Sequence, residues 1–226
     1  MKYDTIISGG GMVGMSMAVA LAREGLSVAL IEHTKLSAQL EPSFDGRVSA
    51  IALGSKYILD AIGAWEFIAP HAEPILDIRV SDGHAPVFLH YDHREVGDEP
   101  FGFIVENRYT RHGLQLAAEQ CENVTVFDQA RMLGVTQKNA AVEVQLSDGR
   151  VLSGRLLIGA EGRNSPTREF AGIGTTGWPY KQTAIVCTIE HEKPHHGLAQ
   201  ERFLPAGPFA VLPMTPIFSP PQAGQD

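Results

Sequence analysis

The sequence predicts an α/β fold in which a layer of antiparallel strands is inserted into a domain built on a parallel sheet. Three observations predict it. The first 32 residues alternate strand, helix and strand, which is the pattern of a βαβ unit. From residue 74 onward, short alternating segments flank Asp-Gly turns, which is typical of antiparallel hairpins. A second glycine-flanked acidic turn follows a buried strand at 159–162, where α/β sheets bind ligands.

The chain begins with a short apolar strand, Tyr3–Ser8, that runs into the motif Gly9-Gly10-Gly11-Met12-Val13-Gly14. This G-x-G-x-x-G spacing is followed by good helix formers over Met15–Glu24 and by a second strand over Leu26–Ile31. Glu32 closes the second strand, eighteen residues after the last glycine of the motif. The order of these elements is that of a Rossmann-type dinucleotide-binding unit. A structural glycine turn is the alternative interpretation.

The residue types in this unit suit a dinucleotide. Gly9 can make the tight turn, Gly11 lets the backbone approach a pyrophosphate, and Gly14 lets the helix pack close to the strand. The N-terminus of the helix offers unpaired N–H groups and a partial positive charge to the phosphates. Glu32 would accept hydrogen bonds from ribose hydroxyls, and its charge argues against the 2′-phosphate of NADP. The motif itself leaves FAD and NAD open.

Bulk properties narrow the function classes. The formal net charge of −8 disfavours non-specific binding to nucleic acid. Cys121 and Cys187 lie far apart without metal-ligand spacing, so we predict reduced thiols and no metal site. The sequence contains no run of 18 apolar residues and no leader segment, which predicts a cytoplasmic protein. A peripheral membrane contact stays open.

After Glu32, a polar loop leads to the segment Asp45-Gly46-Arg47-Val48-Ser49-Ala50-Ile51 and then to a predicted helix over Ser55–Ile62. A guanidinium at Arg47 could brace a phosphate or a ring of a cofactor. The alternative is a solvated loop arginine, which the sequence alone favours.

The pattern then changes to that of a second, sheet-based layer. Ile75–Val80 and Val87–Tyr91 flank an Asp-Gly turn and predict a hairpin, and Phe101–Val105 predicts a third strand. Gln182–Ile189 and Gln200–Leu204 alternate well enough to extend this sheet. We expect a substrate pocket in such an insertion.

Between these segments the pattern of the parallel domain returns. Asn107 is a good N-cap candidate for the helix that begins there. The predicted elements are a helix over Asn107–Cys121, a parallel strand over Val124–Phe127, a hairpin of Ala141–Leu146 with Val151–Ile158, and a short helix over Ser165–Phe170. The hairpin ends in the acidic turn Gly159-Ala160-Glu161-Gly162.

Together, these motifs resemble those of the FAD-dependent aromatic-ring hydroxylases, and most closely the ubiquinone-biosynthesis branch, the 2-octaprenyl-6-methoxyphenol hydroxylase type. Three matches, spread over Tyr3–Met214, carry the resemblance: the glycine unit with Glu32, the segment Asp45–Ile51, and Gly159–Arg168, which is similar to the DG motif of the family. Val105-Glu106-Asn107-Arg108 also resembles the start of the family's helix that faces FAD. The resemblance implies a Rossmann-like FAD-binding domain of the GR2 type with an inserted antiparallel-sheet substrate layer.

The resemblance implies cofactor-binding residues and no catalytic residue from the protein. The glycine unit would bind the ADP half of FAD, Arg47 would lie against the flavin, and Arg108 would stand at the helix start. Glu161 would serve the DG motif, although the family has aspartate there, which is one methylene shorter. The implied cofactor-binding residues are Gly9, Gly11, Met12, Val13, Gly14, Glu32, Arg47, Arg108, Glu161 and Gly162.

The family's third motif, a Gly-Asp pair followed by His-Pro and a Gly-Gln-Gly stretch, does not occur in this sequence. The expectation is therefore a truncated or frame-shifted member, incomplete at the C-terminus, which alone binds the ADP half of FAD but does not hydroxylate. The expected domains are 1–73 with 106–175 for FAD binding, 74–105 with 176–214 for the substrate layer, and 215–226 as an irregular tail.

The resemblance also implies a chemistry for the complete enzyme. FAD and an NAD(P)H donor would serve to transfer one oxygen atom of O₂ to the ring of a prenylated phenol. Such a substrate implies an apolar pocket, and it allows peripheral attachment to the inner face of the membrane or association with a quinone-biosynthesis complex. Two alternatives stay open: a non-catalytic dinucleotide-binding remnant, and another Rossmann-type flavin oxidoreductase. Arg47 and the Glu161 motif argue against the second.

Overall fold

The computed structural model describes residues 2–41, 43, 45–83 and 85–216, and the chain divides into two compact units. Unit one consists of Met1–Arg47, Tyr57–Ala69 and Asn107–Thr188, and unit two of Val48–Lys56, Pro70–Glu106 and the described residues from Ile189 onward. The domain limits predicted from the sequence stay a prediction. Most of the predicted irregular tail, residues 217–226, lies outside the described residues.

Most of the predicted helices and strands are present, in the predicted order. The strands of the described residues are β1 (Lys2–Ser8), β2 (Val28–Ile31), β3 (Val48–Ala52), β4 (Ala72–Ile75), β5 (Asp77–Asp82), β6 (Phe88–Asp92), β7 (Gly102–Glu106), β8 (Val124–Phe127), β9 (Met132–Lys138), β10 (Ala141–Leu146), β11 (Val151–Gly159), β12 (Leu198–Leu204) and β13 (Gly207–Val211). The helices are α1 (Met12–Arg23), α2 (Leu53–Ala61), α3 (Trp65–Ile68), α4 (Asn107–Glu119) and α5 (Pro166–Phe170).

Unit one is built on a six-stranded sheet with the order β8-β2-β1-β11-β10-β9. The first four strands in this order are parallel, and β10 and β9 are antiparallel to their neighbours. The predicted βαβ unit and the predicted hairpin of β10 with β11 are therefore confirmed. Strand β9 was not predicted; its residues include Gly134 and become exposed toward Lys138. A glycine and a polar end weaken the alternation by which a strand is recognised.

The core of unit one lies against both faces of this sheet. Ile6, Val144 and Leu152 belong to one buried cluster, which Phe127 also joins. Helix α1 buries a stripe at helical spacing, made of Gly14, Met15, Ala18, Val19 and Ala22. Because α1 begins directly after β1, this packing fixes the direction in which its N-terminus points.

Unit two contains two sheets, one with the order β3-β7-β4 and one with the order β13-β12-β5-β6. The predicted hairpin is confirmed as β5 with β6. The third predicted strand is present as β7, but it pairs with β3 and β4 instead of extending the hairpin. The strand predicted over Gln182–Ile189 is wrong, because this stretch has no regular structure and is exposed. None of the described helices is long and apolar enough to cross a bilayer.

Candidate functional site

The glycine loop joins β1 to α1 and is tied to the neighbouring strand ends. Gly9 has a φ of 106°, in the left-handed region that glycine adopts without strain. Its N–H donates to the carbonyl oxygen of Ile31 at 2.8 Å, at the end of β2. A Cβ on Gly9 would lie 2.5 Å from the carbonyl carbon of Ala160, at the end of β11. Gly9 therefore makes the tight turn expected of it, and only glycine fits there.

The two other motif glycines stand in opposite surroundings. A Cβ on Gly14 would overlap the carbonyl oxygen of Gly9 and would lie 3.2 Å from the Cβ of Ala160. Gly14 was predicted to let the helix pack close to the strand, whereas its nearest neighbours belong to the glycine loop and to the turn after β11. A Cβ on Gly11 would meet nothing within 4 Å, so open space lies beside this residue.

The N-terminus of α1 has the properties of an anion site. Gly11 is the N-cap, and no side chain of the described residues caps the helix by a hydrogen bond. The first turn carries no acidic residue, and Val13 in this turn is 73% exposed. The first N–H groups of a helix lack intrahelical partners and carry a partial positive charge. This end of α1 can therefore bind an anionic group in the open space beside Gly11.

Glu32 is buried at the end of β2 and is bonded to the glycine loop. Its Oε2 accepts a hydrogen bond from the Gly10 N–H at 2.7 Å, and its Oε1 accepts one from the Thr34 N–H at 2.8 Å. His33 Nδ1 lies 2.9 Å from the same Oε1. A Cβ on Gly10 would lie 2.7 Å from the Cβ of Glu32. Glu32 thus holds the loop, and its role at a ribose stays a prediction.

The acidic turn after β11 lies directly beside the glycine loop, because the Ala160 N–H donates to the Ser8 carbonyl oxygen at 2.7 Å. Glu161 accepts hydrogen bonds from Ser165 Oγ at 2.6 Å, from the Thr167 N–H at 3.2 Å and from Thr167 Oγ1. Burial raises the pKa of Glu161, but the hydrogen bonds from Ser165 and Thr167 outweigh it and lower the pKa below its ordinary value. Glu161 therefore supports its own turn and the start of α5 as a carboxylate.

Arg47 is exposed but fixed. Its Nε and Nη2 donate to the two carboxylate oxygens of Asp45 at 2.8 and 3.0 Å. Arg111 Nη2 and Asn107 Nδ2, both on α4, donate to Oδ2 of the same carboxylate. Asn107 was predicted as the N-cap of this helix, whereas it is the first helical residue and its side chain binds Asp45. Neither a freely solvated Arg47 nor a simple N-cap describes this cluster.

Arg108 follows in the first turn of α4. Its Nη2 donates to Tyr109 Oη at 3.0 Å, and its guanidinium carbon lies 4.5 Å from the centre of the Tyr109 ring. The guanidinium is therefore stacked on an aromatic face, which restricts its orientation.

A comparison with known protein families decides the family of this chain. A family model described as an FAD binding domain matches residues 2–216. The chain belongs to this FAD-binding family.

Curated relatives agree with this membership. The chain is 47% identical over 211 residues to a ubiquinone hydroxylase, UbiL, of Rhodospirillum rubrum, with 93% of this chain and 49% of that protein covered. It is 34% identical to the mitochondrial ubiquinone biosynthesis monooxygenase COQ6 of Rattus norvegicus, covering 96% and 49%. The chain thus spans about half the length of the curated relatives it matches.

The fold also matches a solved structure. PqsL of Pseudomonas aeruginosa, described as a probable FAD-dependent monooxygenase, aligns with a TM-score of 0.68 at 21% identity, covering 80% of this chain and 48% of that one. At this identity the likeness is one of fold alone.

The glycine loop fits the pyrophosphate of the family's cofactor. The space beside Gly11 is open, the 12-residue helix α1 has no side-chain cap from the described residues, and its first turn carries no acid. Sequence reasoning predicted this loop, but it missed Gly10, Ala160, Asp45 and Arg111. Local sequence could have indicated Asp45, since an aspartate two positions before an arginine can accept its backbone N–H.

Proposed function

We propose that this chain provides the FAD-binding part of a monooxygenase that hydroxylates the aromatic ring of a prenylated phenol in ubiquinone biosynthesis. The uncapped N-terminus of α1 beside the open space at Gly11, in a chain of the FAD-binding family, carries the proposal. The similarity to a ubiquinone hydroxylase and to a ubiquinone biosynthesis monooxygenase supports the reaction and its substrate class.

In this proposal the ADP half of FAD lies on the glycine loop. The backbone N–H groups of Met12 and Val13, at the start of α1, bind the pyrophosphate, and Gly11 leaves room for it. Glu32 accepts hydrogen bonds from the ribose while it continues to hold the loop. Gly9 and Gly14 act indirectly, because they let the loop close on the turn at 159–162.

The flavin half of FAD has a second set of residues in the proposal. Arg47 and Arg108 present guanidinium groups from the loop and from the start of α4, and both are already held by protein contacts. Glu161 and Gly162 hold the turn after β11, where Gly162 has a φ of 80°. No side chain is assigned as a nucleophile or as a proton donor.

Bound FAD, reduced by NAD(P)H, would supply the transfer of one oxygen atom from O₂ to the phenol ring. The protein would orient the cofactor through the residues above and would keep water from the reacting ring.

Apolar side chains on a sheet face in unit two support the prenylated substrate. Strand alternation and the observed register put Ile78, Val80, Leu89, Tyr91 and Phe203 on one face of the four-stranded sheet, together with Asp82 and Glu201. The side chains of Leu89, Tyr91 and Phe203 are exposed. Binding an apolar chain on this face would remove hydrophobic surface from water. Because prenylated phenols partition into membranes, we also propose a cytoplasmic protein in peripheral contact with the inner face of the membrane.

A chimera tests the proposed function. Residues 2–216 of this chain replace the matched half of the Rhodospirillum rubrum relative, and the chimera receives FAD, NAD(P)H, O₂ and a soluble prenylphenol. We expect hydroxylated product in stoichiometric ratio to oxidised NAD(P)H, and no product when Gly11→Trp fills the pyrophosphate space. A chimera that folds and binds FAD without forming product would favour a non-catalytic dinucleotide-binding protein. Failure to bind FAD would refute the cofactor assignment.

A further inference from the structure

In the described part of the chain, three turns are closed by the same pair of residue types, an aspartate and an arginine two positions later. In each turn the aspartate carboxylate accepts hydrogen bonds from the backbone N–H and from the side-chain Nε of the arginine. The three pairs are Asp45–Arg47, Asp92–Arg94 and Asp148–Arg150. This clasp forms from local sequence, so by itself it indicates no ligand.

The Asp45 clasp differs from the other two in burial and in its partners. The Asp45 side chain is 6% exposed, whereas that of Asp92 is 19% and that of Asp148 is 37% exposed. Two donors from α4 also reach its Oδ2: Arg111 Nη2 at 2.6 Å and Asn107 Nδ2 at 3.0 Å. Asp45 therefore joins its own arginine to a helix of the FAD-binding unit.

Arg47 is fixed at its backbone and at its side chain. Its carbonyl oxygen accepts a hydrogen bond from the Asn107 N–H at 3.0 Å, and its guanidinium makes a two-point contact with Asp45. The Arg47 side chain is nevertheless 69% exposed. A guanidinium carries five N–H donors in a planar fork, so this contact leaves donors directed away from Asp45.

Asp45 is shared by two arginines. Its carboxylate makes ion pairs with both Arg47 and Arg111. The hydrogen bond from Arg47 is the main cause that holds the pKa of Asp45 far below its ordinary value; burial opposes it, and Arg111 and Asn107 reinforce it. Asp45 is therefore ionised at neutral pH and can pair with Arg47 as a carboxylate.

We propose that Asp45 is a positioning residue: anchored on α4 through Arg111 and Asn107, it holds the exposed Arg47 guanidinium in place for the flavin half of FAD. This inference rests on the proposed function, which assigns Arg47 to the flavin. An arginine without this clasp would have to lose the rotamer freedom of a long side chain when FAD binds, which weakens binding. Asp45 contacts Arg47 and acts on FAD only through it.

A comparison of FAD with ADP tests the inference, because ADP lacks the flavin. In the 226-residue protein, Asp45→Asn keeps the shape of the side chain but removes its charge. We expect Asp45→Asn and Arg47→Ala each to raise the Kd for FAD about tenfold, as for loss of a charge-assisted contact. We expect the Kd for ADP to stay within about twofold of that of the unmodified protein. The double variant should lose no more affinity for FAD than Arg47→Ala alone. Asp92→Asn, which breaks the matched clasp in unit two, should leave both Kd values unchanged.

Two further results separate positioning from a general loss of structure. Flavin fluorescence of the bound cofactor should change in Asp45→Asn and in Arg47→Ala alike, and it should stay unchanged in Asp92→Asn. If Asp45→Asn does not fold, Arg111→Gln removes the anchor instead and should raise the Kd for FAD selectively. The inference would be overturned if Asp45→Asn kept its FAD affinity while Arg47→Ala lost affinity. It would also be overturned if the losses of FAD affinity added up in the double variant. Either result would leave the proposed function standing. Absence of FAD binding by the unmodified protein would refute the proposed function as well.

Discussion

The Gly11→Ala substitution separates ligand binding from folding in the glycine loop. Gly11 has φ −71° and ψ −175°, a backbone conformation that alanine adopts without strain. The added Cβ would meet no protein atom within 4 Å. It would instead occupy the space beside the uncapped N-terminus of α1, where we propose that the pyrophosphate binds. The substitution therefore leaves the protein intact and reduces the room for the ligand.

The expected magnitudes follow from these surroundings. Glycine is a better N-cap than alanine, so the free energy of unfolding of the apo protein should fall by no more than about 1 kcal/mol. Hydrogen bonds from backbone N–H groups to a charged phosphate contribute about 1.5–3 kcal/mol each. Loss of one such bond raises the Kd for ADP or FAD by about tenfold to a hundredfold. Gly14→Ala, by contrast, overlaps the Gly9 carbonyl oxygen and should destabilise folding by about 1–3 kcal/mol or more.

Urea unfolding of the apo proteins and titration with ADP and FAD measure the two effects independently. We expect Gly11→Ala to unfold near the midpoint of the unmodified protein but to bind both ligands weakly. Gly14→Ala should unfold at lower urea. An unchanged Kd for ADP in a folded Gly11→Ala protein would refute the assignment of the pyrophosphate to this loop. Gly54→Ala is the control: it also adds a Cβ to open space, and it should leave the Kd for ADP and FAD unchanged.

Three further predictions concern stability. Asn123 Nδ2 donates to the carbonyl oxygens of Ala22 and Leu26 at 2.8 Å each, so Asn123→Asp should lower the free energy of unfolding by about 1–3 kcal/mol. The control, Asn139→Asp in an exposed turn, should change this free energy little. Urea unfolding measures both variants. Glu161→Asp withdraws the carboxylate from its three donors and should destabilise the apo protein by about 1–2 kcal/mol; an unchanged unfolding midpoint would contradict the observed contacts. Because folding lowers the pKa of Asp45, its carboxylate stabilises the fold fully above the ordinary aspartate pKa of about 4, and this stabilisation is lost as the pH falls below that value. The difference in free energy of unfolding between the unmodified protein and Asp45→Asn should therefore be constant between about pH 7 and 5 and shrink at lower pH.

The elements that the sequence predicted well are those whose signal is local. The glycine motif sits between an apolar strand and good helix formers, and the Asp-Gly turn at 148–149 joins two alternating segments, so β1, α1, β10 and β11 could be read directly. Strand partners depend on residues far apart in sequence, which alternation does not encode. For this reason the pairing of β7 with β3 and β4 was not foreseen, and Gln182–Ile189 was assigned to a strand that does not form.

The site shows the same limit at the level of single residues. Glu32 was predicted from its distance to the glycine motif, but its bond to Gly10 depends on how β2 lies beside β1. The alternatives for Arg47 were a cofactor contact and a solvated side chain, because the sequence does not reveal that Asp45 is buried against α4. Burial and non-local hydrogen bonds are consequences of the tertiary fold, and they decide what these charged residues can do.

Backbone contacts explain why the protein itself requires glycine at two positions of the motif. Parallel pairing of β1 with β11 puts Ala160 against the glycine loop, where its carbonyl group excludes a side chain at Gly9. A Cβ on Gly14 would overlap the Gly9 carbonyl oxygen, and the Cβ of Ala160 would lie 3.2 Å from it. Both positions would need glycine even in a protein without a ligand. Gly11 has no such neighbour, and its backbone conformation is open to any residue. No described protein atom requires glycine at this position, so the space beside the start of α1 is available to a ligand. A dinucleotide pyrophosphate would fit this space, which ties the proposed function to the one glycine of the G-x-G-x-x-G motif that the described residues leave unconstrained.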